Sequence, residues 1–475
     1  MCAPPIRRGM ARASRFRRPP EWGVDPVPPA ARQLRAIDLF VLWSSLGVGL
    51  LVLAAGTLLI GFRIDTETGP VFVGFGLTLW ESIWISIAGS VVGSLMLAGA
   101  AHHGSRAGVP TMVSLRPVLG RIGSYAPTAL NVFQLLGWAA FELLVMGIAS
   151  SVILTGGVDP FVVAVFVPVF GVVVLALALG GPLAVVRQWL KKFAIWLVYL
   201  STALIAIGLA VRGVDLGARP VSSAFAPPWS YLLALDLVIV MPISWWPLVA
   251  DYNRFARRAR DSAIGTTVGY AAANTAFYVL GAALAVLGLM WGLDFLGAIG
   301  LLGLGFLPVF FILIDETDNA FANVYSTAVS MQNLAPKRRQ FWFLVAATVI
   351  ATAGALSLLW LGQGLGGHYE LFLIAIGGMF VPLLGVVITD ALLLRRGSYR
   401  QEEFVDAAPR VRWSSVLSWA CGAILYFSVY LQLIPWFPPV GATLPSFALA
   451  AGLHVVFAKA ETAWTRRAAL SRGAT

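Results

Sequence analysis

Twelve stretches of this chain are apolar for about 20 residues or more, the length that crosses a hydrocarbon core, and they leave few folds open. They lie near residues 38–60, 81–101, 124–153, 160–180, 193–211, 231–250, 266–292, 303–333, 341–362, 370–394, 414–433 and 443–461. A backbone in lipid must satisfy its own polar groups, so such a chain is expected to be an all-α polytopic membrane protein with 12 transmembrane helices. The charges agree. Of 33 Lys and Arg residues, all but Arg63, Arg212 and Arg219 fall in the termini or in alternate connections. Basic connections stay on the cytoplasmic side as apolar helices insert. An even number of spans then leaves both basic termini in the cytoplasm, in a multi-pass protein of the plasma or inner membrane.

Composition narrows the function classes. The chain is 59% hydrophobic and 12% charged, half the charged share of a soluble domain at roughly 25%. Its net charge of +11 is spread over short membrane loops, which speaks for topology and against nucleic acid as a partner. Residues 1–35, rich in Arg and Pro, read as a disordered cytoplasmic tail suited to anionic headgroups. No short apolar stretch with a small-residue cleavage site precedes the first span, so no signal peptide is expected. Cys2 and Cys421 lie too far apart in the topology to imply a disulfide or metal framework. With four lysines in the chain, the absence of a phosphate-binding Gly-Lys-Ser/Thr loop is easily checked, and no His-Glu-x-x-His helix is present. Neither ATP-driven transport nor that type of metalloprotease is supported. No enzyme activity, cofactor or obligatory protein partner is expected. What remains is movement of something small across the bilayer by a carrier, with a ligand-gated channel or a non-translocating sensor as the alternatives.

Polar residues inside spans point to the site, because a central carboxylate costs about 2.5–3.5 kcal/mol on insertion scales unless it faces a cavity or partner. The eighth span is the densest: Asp315, Asn319, Asn323, Ser326 and Ser330 share one helical stripe, with Glu316, Thr317 and Asp318 beside it. Either the helix breaks there and the acids lie in a wet vestibule, or they line a site. In the third span Asn131, Gln134, Trp138 and Glu142 share a face. They offer either a stacking surface with edge-on hydrogen bonds for a planar heterocycle, or a polar seam between helices. In the sixth, Pro242 and Pro247 flank Ser244, Trp245 and Trp246 and free carbonyls near mid-membrane. Ser44-Ser45-Leu46-Gly47-Val48-Gly49 is a weaker interruption in the first. Paired interruptions of this kind point to a carrier's midplane site. Asp251 and Arg254 end the sixth span and read as a structural salt bridge or gate latch. Asp390 reads as interfacial and His454 as helix packing.

Trp245-Trp-Pro-Leu-Val-Ala-Asp251-Tyr252-Asn253-Arg254-Phe255 resembles a signature of the nucleobase:cation symporter-1 family, the cytosine/purine, hydantoin and allantoin permeases and the hydroxymethylpyrimidine branch. Asn131–Trp138, Asn323-Val-Tyr325-Ser326 and Gly377–Asp390 are similar to that family's third, eighth and tenth helices, in order and spacing, from about residue 35 to 460. The resemblance implies a LeuT-like 5+5 inverted repeat: residues 36–212, then 230–396, then two additional helices over 413–461 and a tail over 462–475. It implies cation-coupled uptake by alternating access. A planar base would lie between Trp138 and Trp245, contacted by Ser244, Gln134, Glu142 and Asn323. Sodium, where it is the coupling ion, would sit near Ser45 and Gly47, against Thr317 and Asp318.

Two positions depart from the family pattern. Asp318 stands where a Ser or Thr is expected, which opens the choice between sodium and a proton. Glu142 stands where relatives often carry a neutral residue. A carboxylate accepts well from an exocyclic amine and a protonated ring nitrogen, which favours cytosine, hydroxymethylpyrimidine or adenine over uracil or hydantoin.

Overall fold

Helices account for nearly all the regular structure of the computed structural model, which describes residues 22–66, 69–219, 227–293, 295–361, 365–405 and 408–472. The first apolar window is two helices, α1 (Ala36–Ser45) and α2 (Leu50–Ile60), bent by 66° at the intervening residues. A two-stranded antiparallel hairpin follows, Phe62–Thr66 with Gly69–Val73. The chain continues through α3 (Leu79–Ala107), α4 (Tyr125–Thr155), α5 (Pro160–Gly180), α6 (Pro182–Arg212), α7 (Trp229–Asn253) and α8 (Ala259–Trp291). Then come α9 (Leu307–Leu334), α10 (Gln340–Trp360), α11 (Leu371–Leu394), α12 (Trp413–Tyr430) and α13 (Thr443–Trp464). Among the described residues nine helices are long and apolar enough to cross a membrane, ten with the bent pair counted as one span. The remaining two windows are occupied by α9, which carries three acids, and by α12, 18 residues long.

Helix ends follow local chemistry. Thr78 caps α3 by accepting from Glu81 N, and the Glu81 carboxyl returns the bond to Thr78 N at 2.7 Å. Gly108 and Gly156 take left-handed conformations just past α3 and α4.

Packing divides apolar surface from polar interior. The outer face of α5 exposes Phe161, Val165, Val169 and Val172, as a lipid-facing helix does. By contrast α9 is buried along most of its length, acids included. It packs on α4, α6 and α10. The long α8 lies against α1, α2 and α3 through small residues. A Cβ on Gly281 would come within 2.2 Å of Leu53 O, and one on Gly56 within 2.6 Å of Tyr278 O. Small residues drive helix association in lipid because they let backbones meet. The same device joins α11, α12 and α13, where a Cβ on Gly422 would meet Pro382 at 2.5 Å.

The N-terminal segment departs from the sequence reading. Disorder is predicted through residue 35, yet residues 22–35 are laid along the end of the bundle. Val27 N donates to Gly108 O, and Arg32 donates to the carbonyls of Val27, Arg106 and Ala107. Leu34 N donates to Phe255 O at 2.9 Å, and Leu34 O accepts from Arg257 N at 2.8 Å. These are backbone partners, which composition does not reveal. Residues 1–21 of the predicted tail lie outside the described residues.

Candidate functional site

Two helix breaks meet in the middle of the bundle. In α7, the helix from Trp229 ends at Ser244, a 3-10 turn covers Trp246–Leu248, and helix resumes at Val249. Pro247 cannot donate to the ladder. Its carbonyl is instead met by Asn131 Nδ2 of α4 at 3.1 Å. The α1–α2 break is stitched by α9. Asn319 Nδ2 donates to Val48 O at 2.9 Å, and Leu50 N donates to Glu316 Oε2 at 3.2 Å. Gly49 sits there at φ +153°, and a Cβ on it would lie 2.8 Å from Glu316 Oε2. Only glycine fits both that backbone and that approach.

Between the breaks lies a narrow cavity of about 20 Å³. Trp138 and Glu142 enter it from α4, Ser244 and Trp245 from α7, and Glu316, Asn319 and Asn323 from α9. Trp138 is braced edge-on by Phe372 of α11, ring centroids 5.4 Å apart. Trp245 meets Trp43 edge-on at 6.5 Å, and Trp43 Nε1 donates to Asn253 at 2.9 Å. Both indoles at the cavity wall are therefore held from behind. The Glu142 and Glu316 carboxyls both line this cavity, and each has one oxygen without a hydrogen-bond partner. Among the described residues no Lys, Arg or His lines the cavity.

Gln134 does not line it. Its amide donates to Asn131 Oδ1 at 2.7 Å, and Asn131 Nδ2 also donates to Ser330 Oγ at 2.9 Å. Those two residues form a polar seam joining α4, α7 and α9, so the structure separates Gln134 from Trp138 and Glu142 despite their common helical face. One turn of offset accounts for this: the seam lies where α9 packs closely, and the cavity opens where the α1–α2 break leaves room.

Beside the cavity, Ser45 Oγ donates to Asp315 Oδ1 at 2.7 Å, and Asp318 lies next to the same hydroxyl. Both Asp318 oxygens are buried without a hydrogen-bond donor. Thr317 Oγ1 is spent on its own helix, donating to Ile314 O at 2.7 Å. Gly47 lies in the break, close to the backbone of Trp43 and Tyr270. Ser45 and Asp318 thus share one neighbourhood, whereas Gly47 packs against α8 and the Thr317 hydroxyl is already engaged. Among the described residues no three His, Cys, Asp or Glu side chains converge on a common metal position.

Asp251 and Arg254, expected as a structural salt bridge or gate latch, lie within electrostatic reach of each other and take separate hydrogen-bond partners. Asp251 Oδ1 accepts from Thr111 N at 2.9 Å. Arg254, 1% exposed, donates to Gly23 O at 2.9 Å and to the Tyr325 hydroxyl at 3.2 Å. Asp390 is buried rather than interfacial. Tyr399 OH donates to it at 2.6 Å, and Arg395, Arg412 and His454 surround it at 3.4, 3.8 and 3.2 Å. His454, predicted to pack, holds that carboxylate from α13.

Sequence reasoning placed Glu316 and Asn319 in the polar cluster of this helix but gave them no role at the α1–α2 break. The signal for them was present: a Gly-x-Gly break leaves backbone groups unpaired, and a neighbouring polar stripe is the natural source of partners.

The comparisons with known proteins follow this architecture along the chain. Residues 26–448 match the family model described as a permease for cytosine/purines, uracil, thiamine and allantoin. A cytosine permease of Escherichia coli (strain K12) is 25% identical over 374 residues, covering 76% of this chain and 81% of that protein. An allantoin permease of Bacillus subtilis (strain 168) is 22% identical over 425 residues, covering 81% and 83%. The solved structure of Mhp1, a nucleobase-cation-symport-1 family transporter in a closed conformation with bromovinylhydantoin bound, superposes with a TM-score of 0.72 at 18% identity, covering 92% of this chain and 94% of that one. At that identity the likeness carries the fold, while the match over most of the chain carries the lineage. The chain is a multi-pass membrane transporter and belongs to the nucleobase–cation symporter family, the permeases for cytosine/purines, uracil, thiamine and allantoin.

Proposed function

We propose that this transporter takes up a planar amino-heterocycle, such as cytosine, hydroxymethylpyrimidine or adenine, and couples its entry to a cation. One observation carries this reading: a cavity between two helix breaks whose walls include two braced indoles and whose polar lining includes a carboxyl and an amide. The base stacks between Trp138 and Trp245. Glu142 accepts from its exocyclic amine, and Asn323 and Ser244 take its remaining edge. Gln134 acts from behind by fixing Asn131 and the α4–α7–α9 seam. The cation sits near Ser45, Gly47 and Asp318, with Thr317 supporting the turn. A monovalent ion that accepts carbonyl and hydroxyl ligands fits there better than a divalent one. Twelve spans form two inverted five-helix repeats, 36–212 and 230–396, with α12 and α13 added and both termini cytoplasmic. Pro242 and Pro247 mark the flexing point of α7, and Asp251 and Arg254 hold its end.

The test is uptake of labelled cytosine, hydroxymethylpyrimidine, adenine, uracil and allantoin, with sodium present or replaced. Stacking of a base on an aromatic ring is worth about 1–3 kcal/mol, so Trp138→Ala raises the half-saturating concentration by roughly 5- to 150-fold. Unchanged uptake in that variant would sink the sandwich. Preference for uracil over cytosine would overturn the role given to Glu142.

A further inference from the structure

Four carboxyl groups, Glu142, Asp315, Glu316 and Asp318, are buried together, and among the described residues no basic one lines the cavity. Ionised carboxylates in such surroundings need a cation or a proton. Geometry sorts them into two sets. Asp315 accepts from the Ser45 hydroxyl, and Asp318 lies beside it. Glu142 of α4 and Glu316 of α9 both line the cavity, within electrostatic reach of each other. Two ionised carboxylates only accept, so a hydrogen bond between them requires a proton. The surroundings are short of donors as well. Glu316 Oε2 has Leu50 N, while Glu316 Oε1 and Glu142 Oε2 have no donor. Asn319 is an independent sign: 3% exposed, it spends its amide on Val48 O and leaves Oδ1 unpartnered where it lines the same cavity.

We propose that Glu142 and Glu316 form a proton-binding site in the substrate cavity, one proton shared between them, separate from the cation site at Ser45 and Asp318. The inference rests on the uptake reading above. The titratable groups facing the pair are Asp318 and Asp315 on the same helix as Glu316, with Tyr199 of α6 beyond Asp315. The lining residues from α1, α2 and α7 are uncharged. Glu316 also holds the first amide of α2. The proton therefore keeps the two carboxyls together while α2 is tied to α9, and its loss drives them apart at the α1–α2 break. A base bound at Glu142 and a proton on the pair thus share one wall, which couples their release.

The experiment uses the full-length protein in liposomes with labelled cytosine and equal sodium on both sides, measuring exchange at equal pH and accumulation under an inside-alkaline gradient. Wild type accumulates under the gradient, by up to about tenfold per pH unit for one proton. In E316Q the ratio of uptake with the gradient to uptake without it falls to one, and E142Q serves as the second variant if E316Q does not reach the membrane. Exchange in wild type with indifference to the pH gradient overturns the proton site and leaves the base assignment standing. If no base exchanges, the base assignment falls, and difference infrared spectroscopy of the same vesicles decides the proton site. A protonated-carboxyl band present in wild type and lost in both variants upholds it; a band unchanged in either overturns it.

Discussion

At the residue scale, polar side chains in this bundle do two kinds of work, and spacing alone does not separate them. Asn131 and Gln134 lie on one helical face with Trp138 and Glu142, yet the first two stitch helices and the last two line the cavity. Which does which depends on what α9 places opposite, and that is set by a partner nearly 200 residues away. Asp390 illustrates the same limit, because its ring of Arg395, Tyr399, Arg412 and His454 draws on three separate segments. Removing one member of a buried ionic cluster leaves its partners uncompensated, at roughly 3–5 kcal/mol. Asp390→Ala is expected to lower the unfolding temperature of the detergent-solubilised protein markedly. A shift no larger than that of Glu402→Ala, in an exposed position nearby, would count against that cluster as a structural tie.

At the element scale, the helix breaks were open to sequence reasoning because their causes are local. Proline removes a donor and glycine tolerates an unusual backbone, and both are visible as letters. The use made of the breaks was not open, since the groups that close them arrive from α4 and α9. Helix-to-helix distance has the same character. Glycines at 56 and 281 look unremarkable in a membrane chain, and only the crossing of α2 over α8 makes them necessary. Gly281→Ala would push a methyl against the Leu53 carbonyl, and overpacking of this kind costs about 1–3 kcal/mol. The expected result is a lower melting temperature than that of Gly452→Ala, where the added methyl meets nothing within 4 Å. Equal melting curves would show that the α2–α8 contact yields readily.

At the scale of the whole molecule, hydropathy and charge were sufficient for the class of fold, because lipid forces helices and basic loops resist translocation. They were not sufficient for the start of the chain, whose order depends on carbonyls it finds on α3 and beyond α7. The charge asymmetry predicts the orientation, which cysteine labelling in a background lacking Cys2 and Cys421 checks. Glu402→Cys, between α11 and α12, should react with an impermeant maleimide only after the cells are opened. Leu216→Cys, between α6 and α7, should react in intact cells. The reverse pattern would invert the topology. One practical consequence comes from residues 22–34. They are wedged under Arg254 and paired with Phe255 and Arg257, so they serve as flooring for the bundle rather than as a leader ahead of it. An expression tag replacing them would remove a supporting beam, and a deletion series from the N-terminus should lose folded protein abruptly once it reaches Gly23.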